Sequence, residues 1–152
     1  MSSVTLTLST SPETSIKFEL FTSIVPKTCD HFKSLCEKGT YTNVEISRIV
    51  KDGWLQGSPT SDSTEPIPDE SFAVPFTNKY TLGLTNSGPH SSTSGFFITL
   101  AENASWLSGR YVGFGRCVEG GEALDKINLS EIDENEMVVG GVTVLSWVVD
   151  EE

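Results

Sequence analysis

The stretch Val44-Glu45-Ile46-Ser47-Arg48-Ile49-Val50, followed after a short Lys-Asp-Gly break by Trp54-Leu55-Gln56-Gly57, decides the fold class. Val44, Ile46, Arg48 and Val50 alternate with Glu45, Ser47 and Ile49, which is the period of a β-strand rather than a helix. The same period returns on both sides. Val4, Leu6 and Leu8 alternate with Thr5 and Thr7, and Ile16, Phe18 and Leu20 alternate with Lys17 and Glu19. Pro12 and its Ser and Thr neighbours supply a hairpin turn between these two strands. Further strands are expected over Tyr80–Thr85, Phe96–Leu100, Tyr111–Phe114 and Val142–Val149.

Two segments carry a different period. Pro26 suits a first helical position and Gly39 the residue just past a helix end, and Cys29, Phe32, Leu35 and Cys36 fall on one helical face between them. Ala123, Leu124 and Ile127 do the same over Glu122–Leu129. Gly57 to Glu70 is almost entirely Ser, Thr, Pro, Asp and Glu, a polar surface loop. Seven or eight short strands with two helices, in 152 residues without an internal repeat, predict one domain over residues 1–152. The architecture expected is mainly β, a closed eight-stranded antiparallel barrel capped by two helices.

Charge narrows the partners. Twenty-one acids face ten bases, a formal net charge of −11, which disfavours nucleic acid and anionic membrane surfaces. The excess is uneven. From Glu119 to Glu152 ten acids face one base, Lys126, whereas the first 118 residues are close to neutral. That acidic quarter is either a solvated face or a docking surface for a protein assembly. Three cysteines (Cys29, Cys36, Cys117) form no CxxC pair, which fits a reducing, cytoplasmic setting, and the two helix cysteines suit a core. The N-terminus reads as a strand rather than a signal peptide, and no apolar run approaches the roughly 20 residues of a membrane span.

Two residues break the strand pattern in a way that points to chemistry. Arg48 sits on the apolar parity of its strand, so its guanidinium needs water, an acidic partner or a lined cleft. Phe97 and Thr99 face away from Phe96, Ile98 and Leu100, so Phe97 is either edge packing or a pocket wall. Other chemistries lack their residues. His31 and His90 stand without clustered cysteines or paired carboxylates, so no metal or other cofactor is expected. No Gly-x-Ser-x-Gly elbow and no phosphate-binding glycine loop is present.

The order of short runs resembles the cyclophilin-type peptidyl-prolyl cis-trans isomerases over nearly the whole chain. Those runs are Phe18–Phe21, Val25–Thr28, Ser47–Val50, Trp54–Gly57, Thr85–Pro89, Gly95–Ile98, Trp106–Gly109 and Val112–Gly115. The resemblance implies that Arg48 is the catalytic arginine and Gln56 the glutamine that accompanies it. It implies substrate contacts at Thr85, Asn86, Phe97, Leu107, the rim residue Trp106, and Tyr111, where the family commonly has histidine. Trp54 stands in place of a family methionine, Gly53 in place of a pocket aromatic, Gly95 in place of a second glutamine, and Thr85 in place of an alanine. The activity implied is isomerisation of X-Pro bonds in proline-containing peptides and protein clients, at reduced efficiency. The second reading, favoured by Gly53 and Gly95, is a catalytically weak or inactive domain serving as a structural or adaptor subunit, for instance of a cytoskeletal or ciliary assembly.

Overall fold

The computed structural model describes residues 2–10, 13–59 and 64–151. Its strands are β1 (Ser2–Leu8), β2 (Thr14–Leu20), β3 (Val44–Val50), β4 (Trp54–Gly57), β5 (Thr81–Leu84), β6 (Phe96–Thr99), β7 (Gly113–Glu119) and β8 (Thr143–Glu151). They close into a barrel in the order β1-β2-β7-β5-β6-β4-β3-β8, with every neighbouring pair antiparallel. Helix α1 (Pro26–Glu37) follows β2 and helix α2 (Gly121–Asn128) follows β7. The expected barrel with two helices is therefore the observed one, and the expected turn at Pro12 lies outside the described residues.

The strand interiors obey the period-2 rule. Val4, Leu6 and Leu8 of β1 and Ile16, Phe18 and Leu20 of β2 are all buried in the barrel core. Helix α1 caps one end. Its Phe32 ring stands 4.9 Å from Phe114, 5.2 Å from Trp147 and 5.3 Å from Tyr41, joining two strands and a loop through one side chain. The helix cysteines are core residues, as expected, and burial pushes the Cys29 thiol up to about 12. A thiol so placed stays protonated at neutral pH and offers no nucleophile.

Two local expectations change, and one strand is added. The alternation in β3 is broken by a bulge: Ile46 pairs with Gly57 and Arg48 with Gln56, a register shift across Ser47. Buried Ile46 and Ile49 are consequently three residues apart, and Arg48 leaves the core parity to face outward. Strand β4 is four residues long and too short to announce itself by period. Tyr111 lies before β7 rather than in it, because Arg110 and Tyr111 both donate their amides to the Leu107 carbonyl and close a turn there. Strand β7 instead runs on to Glu119, held by pairing with β2 and β5.

The loop before β5 is tied down from a distance. Helix α1 has no side-chain cap of its own at Val25, and the Glu70 carboxylate accepts from the Lys27 amide (3.1 Å), the Thr28 amide (2.7 Å) and the Thr28 hydroxyl (2.8 Å). Partial desolvation raises the Glu70 pKa, but these Thr28 and Lys27 hydrogen bonds and the Lys27 charge prevail and hold it below its ordinary 4.5. Glu70→Ala should cost about 1 kcal/mol at neutral pH, as loss of a helix cap does. A carboxyl with a lowered folded pKa stabilises above the ordinary value and loses that contribution as pH falls through the lowered one. Urea unfolding at pH 7 and below 4.5 checks both halves: the gap between the two proteins should close on acidification.

Candidate active-site cleft

Outside the barrel wall a second, smaller apolar cluster forms from Phe76, Phe97, Ala104 and Leu107, with Trp54, Ala101 and Tyr111 packed against it. Strand β6 explains half of it. Phe96 and Ile98 enter the barrel core, and Phe97 and Thr99 point outward, yet both are buried because the chain around Phe76 and Ala104 covers them. Phe97 is thus a pocket wall, one of the two readings its sequence position left open. Its ring stands 5.5 Å from Phe76 and 5.3 Å from Tyr111.

A cleft of about 220 Å³ opens beside this cluster. Its apolar side is made by Phe97, Leu107 and Tyr111, and its polar side by Arg48, Gln56, Thr85 and Asn86, with Trp54 between. Eight of the nine residues expected from the sequence come together here. Trp106 does not join them: it lies on a single 3-10 turn (Ser105–Leu107), 53% exposed, outside the lining. Asn86 is fixed in place, its side-chain amide donating to the Arg110 carbonyl (2.9 Å) and its oxygen accepting from the Gly88 amide.

Trp54 decides whether the slot is open. Its indole N–H donates to Gln56 Oε1 (2.8 Å), and the Arg48 guanidinium lies 5.3 Å from its ring centroid. Phe97, Leu107 and Tyr111 still line free space, so Trp54 stands beside the slot as a wall. Gly53, where the resemblance predicted an aromatic, sits in the turn before β4, its carbonyl accepting from Leu100 and Ala101. The apolar backing comes instead from Phe76, which the sequence reading missed. Its signal was faint, a short Phe72-Ala73-Val74-Pro75-Phe76 run with no strand or helix period.

Two departures at the other end of the cleft compensate one another. A Cβ added to Gly95 would fall directly on Thr85 Oγ1 and 2.7 Å from Ser58 Oγ. The larger residue at 85 therefore occupies space that the missing side chain at 95 leaves.

Gly83 is required by a close approach rather than by its backbone angles. A Cβ there would lie 2.5 Å from Phe97 Cζ and 2.7 Å from Cε1, so the Phe97 ring rests on bare backbone. Gly83→Ala should tilt that ring into the cleft and, as overpacking does, cost about 1–3 kcal/mol. Urea unfolding measures the loss of stability.

His31 and His90 take no part in the cleft. His31 Nε2 donates to the Thr93 carbonyl, and His90 and Asp69 exchange hydrogen bonds between two loops. Among the described residues no group of three His, Cys, Asp or Glu side chains could hold an ion, and no helix is long and apolar enough to cross a membrane.

Comparison with known proteins places this geometry. The family model "Cyclophilin type peptidyl-prolyl cis-trans isomerase/CLD" matches residues 5–149. The human "Probable inactive peptidyl-prolyl cis-trans isomerase-like 6" is 36% identical over 141 residues, covering 80% of this chain and 45% of its own. The chain thus spans less than half the length of that relative. "Peptidyl-prolyl cis-trans isomerase-like 1" of Aspergillus niger is 33% identical over 147 residues, 91% of this chain and 90% of that protein. Among solved structures, a Cryptosporidium parvum cyclophilin type peptidyl-prolyl cis-trans isomerase, crystallised in the presence of the dipeptide Ala-Pro, superposes with a TM-score of 0.89 at 25% identity, covering 99% of both chains.

Proposed function

The chain belongs to the cyclophilin-type peptidyl-prolyl cis-trans isomerase family, and on that premise we propose that it isomerises X-Pro bonds of peptides and proteins at the cleft beside Phe97. The observation that carries this reading is a charged guanidinium standing at the edge of an open apolar slot.

The reaction makes few chemical demands. An X-Pro bond turns over tens to hundreds of seconds because amide resonance must be broken on the way. In the twisted state the prolyl nitrogen regains a localised lone pair. Arg48, always charged and rich in fixed donors, gives that nitrogen a hydrogen bond that is strongest in the twisted state. Phe97 and Leu107 hold the proline ring, with Phe76 behind them. Asn86, held by Arg110 and Gly88, presents its backbone to the residue before proline, and Thr85, Gln56 and Tyr111 complete the groove. Proline-containing proteins are the clients, and the Ala-Pro dipeptide present with the structural relative is a minimal version of them. The free thiols fit a cytoplasmic setting.

A second reading rests on the relatives. Human, bovine and mouse proteins at 35–37% identity are named probable inactive isomerases. On that reading the same cleft binds without turning over, and the domain serves as an adaptor in a larger assembly, with the acidic C-terminal quarter as its docking face. Exchange NMR on an Ala-Pro peptide with catalytic amounts of protein separates the two. A cis–trans rate above the uncatalysed background supports the enzyme; a background rate with saturable peptide binding supports the adaptor.

A further inference from the structure

The arginine of the cleft is held from a direction that its neighbours in sequence do not reveal. Gln56 pairs with Arg48 across β3 and β4, but its side-chain oxygen is taken by the Trp54 indole. The partner of the guanidinium is Glu136, whose Oε1 accepts from Arg48 Nε at 2.9 Å. Glu136 comes from the acidic quarter, 88 residues further along the chain. One acid of that quarter therefore reaches the groove.

The chain around Glu136 is built to deliver it there. Asp133 Oδ1 accepts from the amides of Asn135 (2.8 Å) and Met137 (3.1 Å), and the Asp133 carbonyl accepts from the Glu136 amide. This tight turn puts Glu136 at φ 61°, a left-handed conformation that a non-glycine side chain adopts at a cost. The Glu136 carbonyl then accepts from the Ile49 amide, so side chain and backbone of one residue grip two consecutive residues of β3. The bulge at Ser47 is what turns Arg48 outward, into reach of that grip.

We propose that Glu136 is a positioning residue for Arg48. It fixes Nε from one side while the Trp54 face supports the guanidinium from another, leaving the two terminal nitrogens to face the slot. The proposal rests on Arg48 being the cation that acts on the prolyl nitrogen. Its geometric half, that Glu136 orients Arg48, stands apart from turnover and has its own readout.

The chain has three arginines, Arg48, Arg110 and Arg116, so the guanidinium Nε–H resonances are few and the Arg48 signal is assigned by its loss in Arg48→Ala. Glu136→Ala should shift that resonance and speed its exchange with water, while leaving Arg110 and Arg116 unmoved. Its kcat for an Ala-Pro peptide should fall roughly three- to five-fold at nearly constant KM, the scale of an exposed ion pair. Glu136→Gln, which keeps the acceptor oxygen and removes the charge, should recover part of the loss. In the Arg48→Ala background neither change should alter the residual rate.

An Arg48 resonance indifferent to Glu136→Ala overturns the proposal, and so does an equal loss of rate in the Arg48→Ala background. A shifted resonance with full activity overturns the catalytic consequence. If the wild type itself turns over at background, the isomerase reading fails separately. The resonance then still decides whether Glu136 positions Arg48.

Discussion

Arg48→Ala should slow isomerisation of an Ala-Pro peptide by about 10²- to 10³-fold, the usual cost of removing one charged donor aimed at a transition state. The loss should appear in kcat, because the planar ground-state amide offers the guanidinium little and the twisted one offers it a localised lone pair. Stability should barely change. Arg48 is 44% exposed, and its pair with the equally exposed Glu136 is of the kind worth about 0–1 kcal/mol. Arg48→Lys separates charge from geometry. A lysine keeps the charge but lacks both the fork and the flat face that lies on Trp54, so it should recover only a minor part of the rate. Equal rates for wild type and Arg48→Ala would remove the arginine from the mechanism.

Phe76→Ala carries the largest expected effect on stability. The ring is fully buried, contacts Phe97 at 5.5 Å, and fills the space above two glycines, where an added Cβ would meet it at 3.3 Å (Gly83) and 3.2 Å (Gly113). Truncating such a phenylalanine costs about 3–5 kcal/mol, a large part of the roughly 5–15 kcal/mol that holds a domain folded. The urea midpoint should fall by about 1–3 M. Peptide binding should weaken as well, because Phe97 loses the surface behind it and the slot loses its fixed shape. A shift below about 1 kcal/mol would mean that the segment around residue 76 merely lies over the barrel. Circular dichroism at low temperature keeps the result interpretable, since the main core around Phe32 and Trp147 is separate and should keep the barrel intact.

The sequence was most legible where one rule acts alone. In β1 and β2 a strict alternation meets an uninterrupted ladder, and every apolar residue it assigns inward is buried. In α1 the proline start, the glycine end and the apolar face agree, and the helix runs Pro26–Glu37. The period failed in β3, where a one-residue bulge reverses the faces beyond it and no local propensity marks the bulge. The family resemblance singled out Arg48 all the same, and Arg48 lines the cleft, because a motif names a residue without having to say which way it points. Phe97 went the other way. Its outward face was read correctly, but its burial depended on Phe76 and Ala104, which arrive from loops that carry no period.

The amino-acid sequence by itself determined seven of the eight strands, both helices, the family and most of the residues around the cleft, because each of these is written in short-range spacing. Tertiary structure alone decided how the cleft is finished. Phe76 backs it, Thr85 fills the space left at Gly95, Trp54 stands as a wall, and Glu136 holds Arg48 across 88 residues. These are contacts between segments brought together only when the barrel closes, and side chains that meet through a closed barrel leave no shared period in the chain that encodes them.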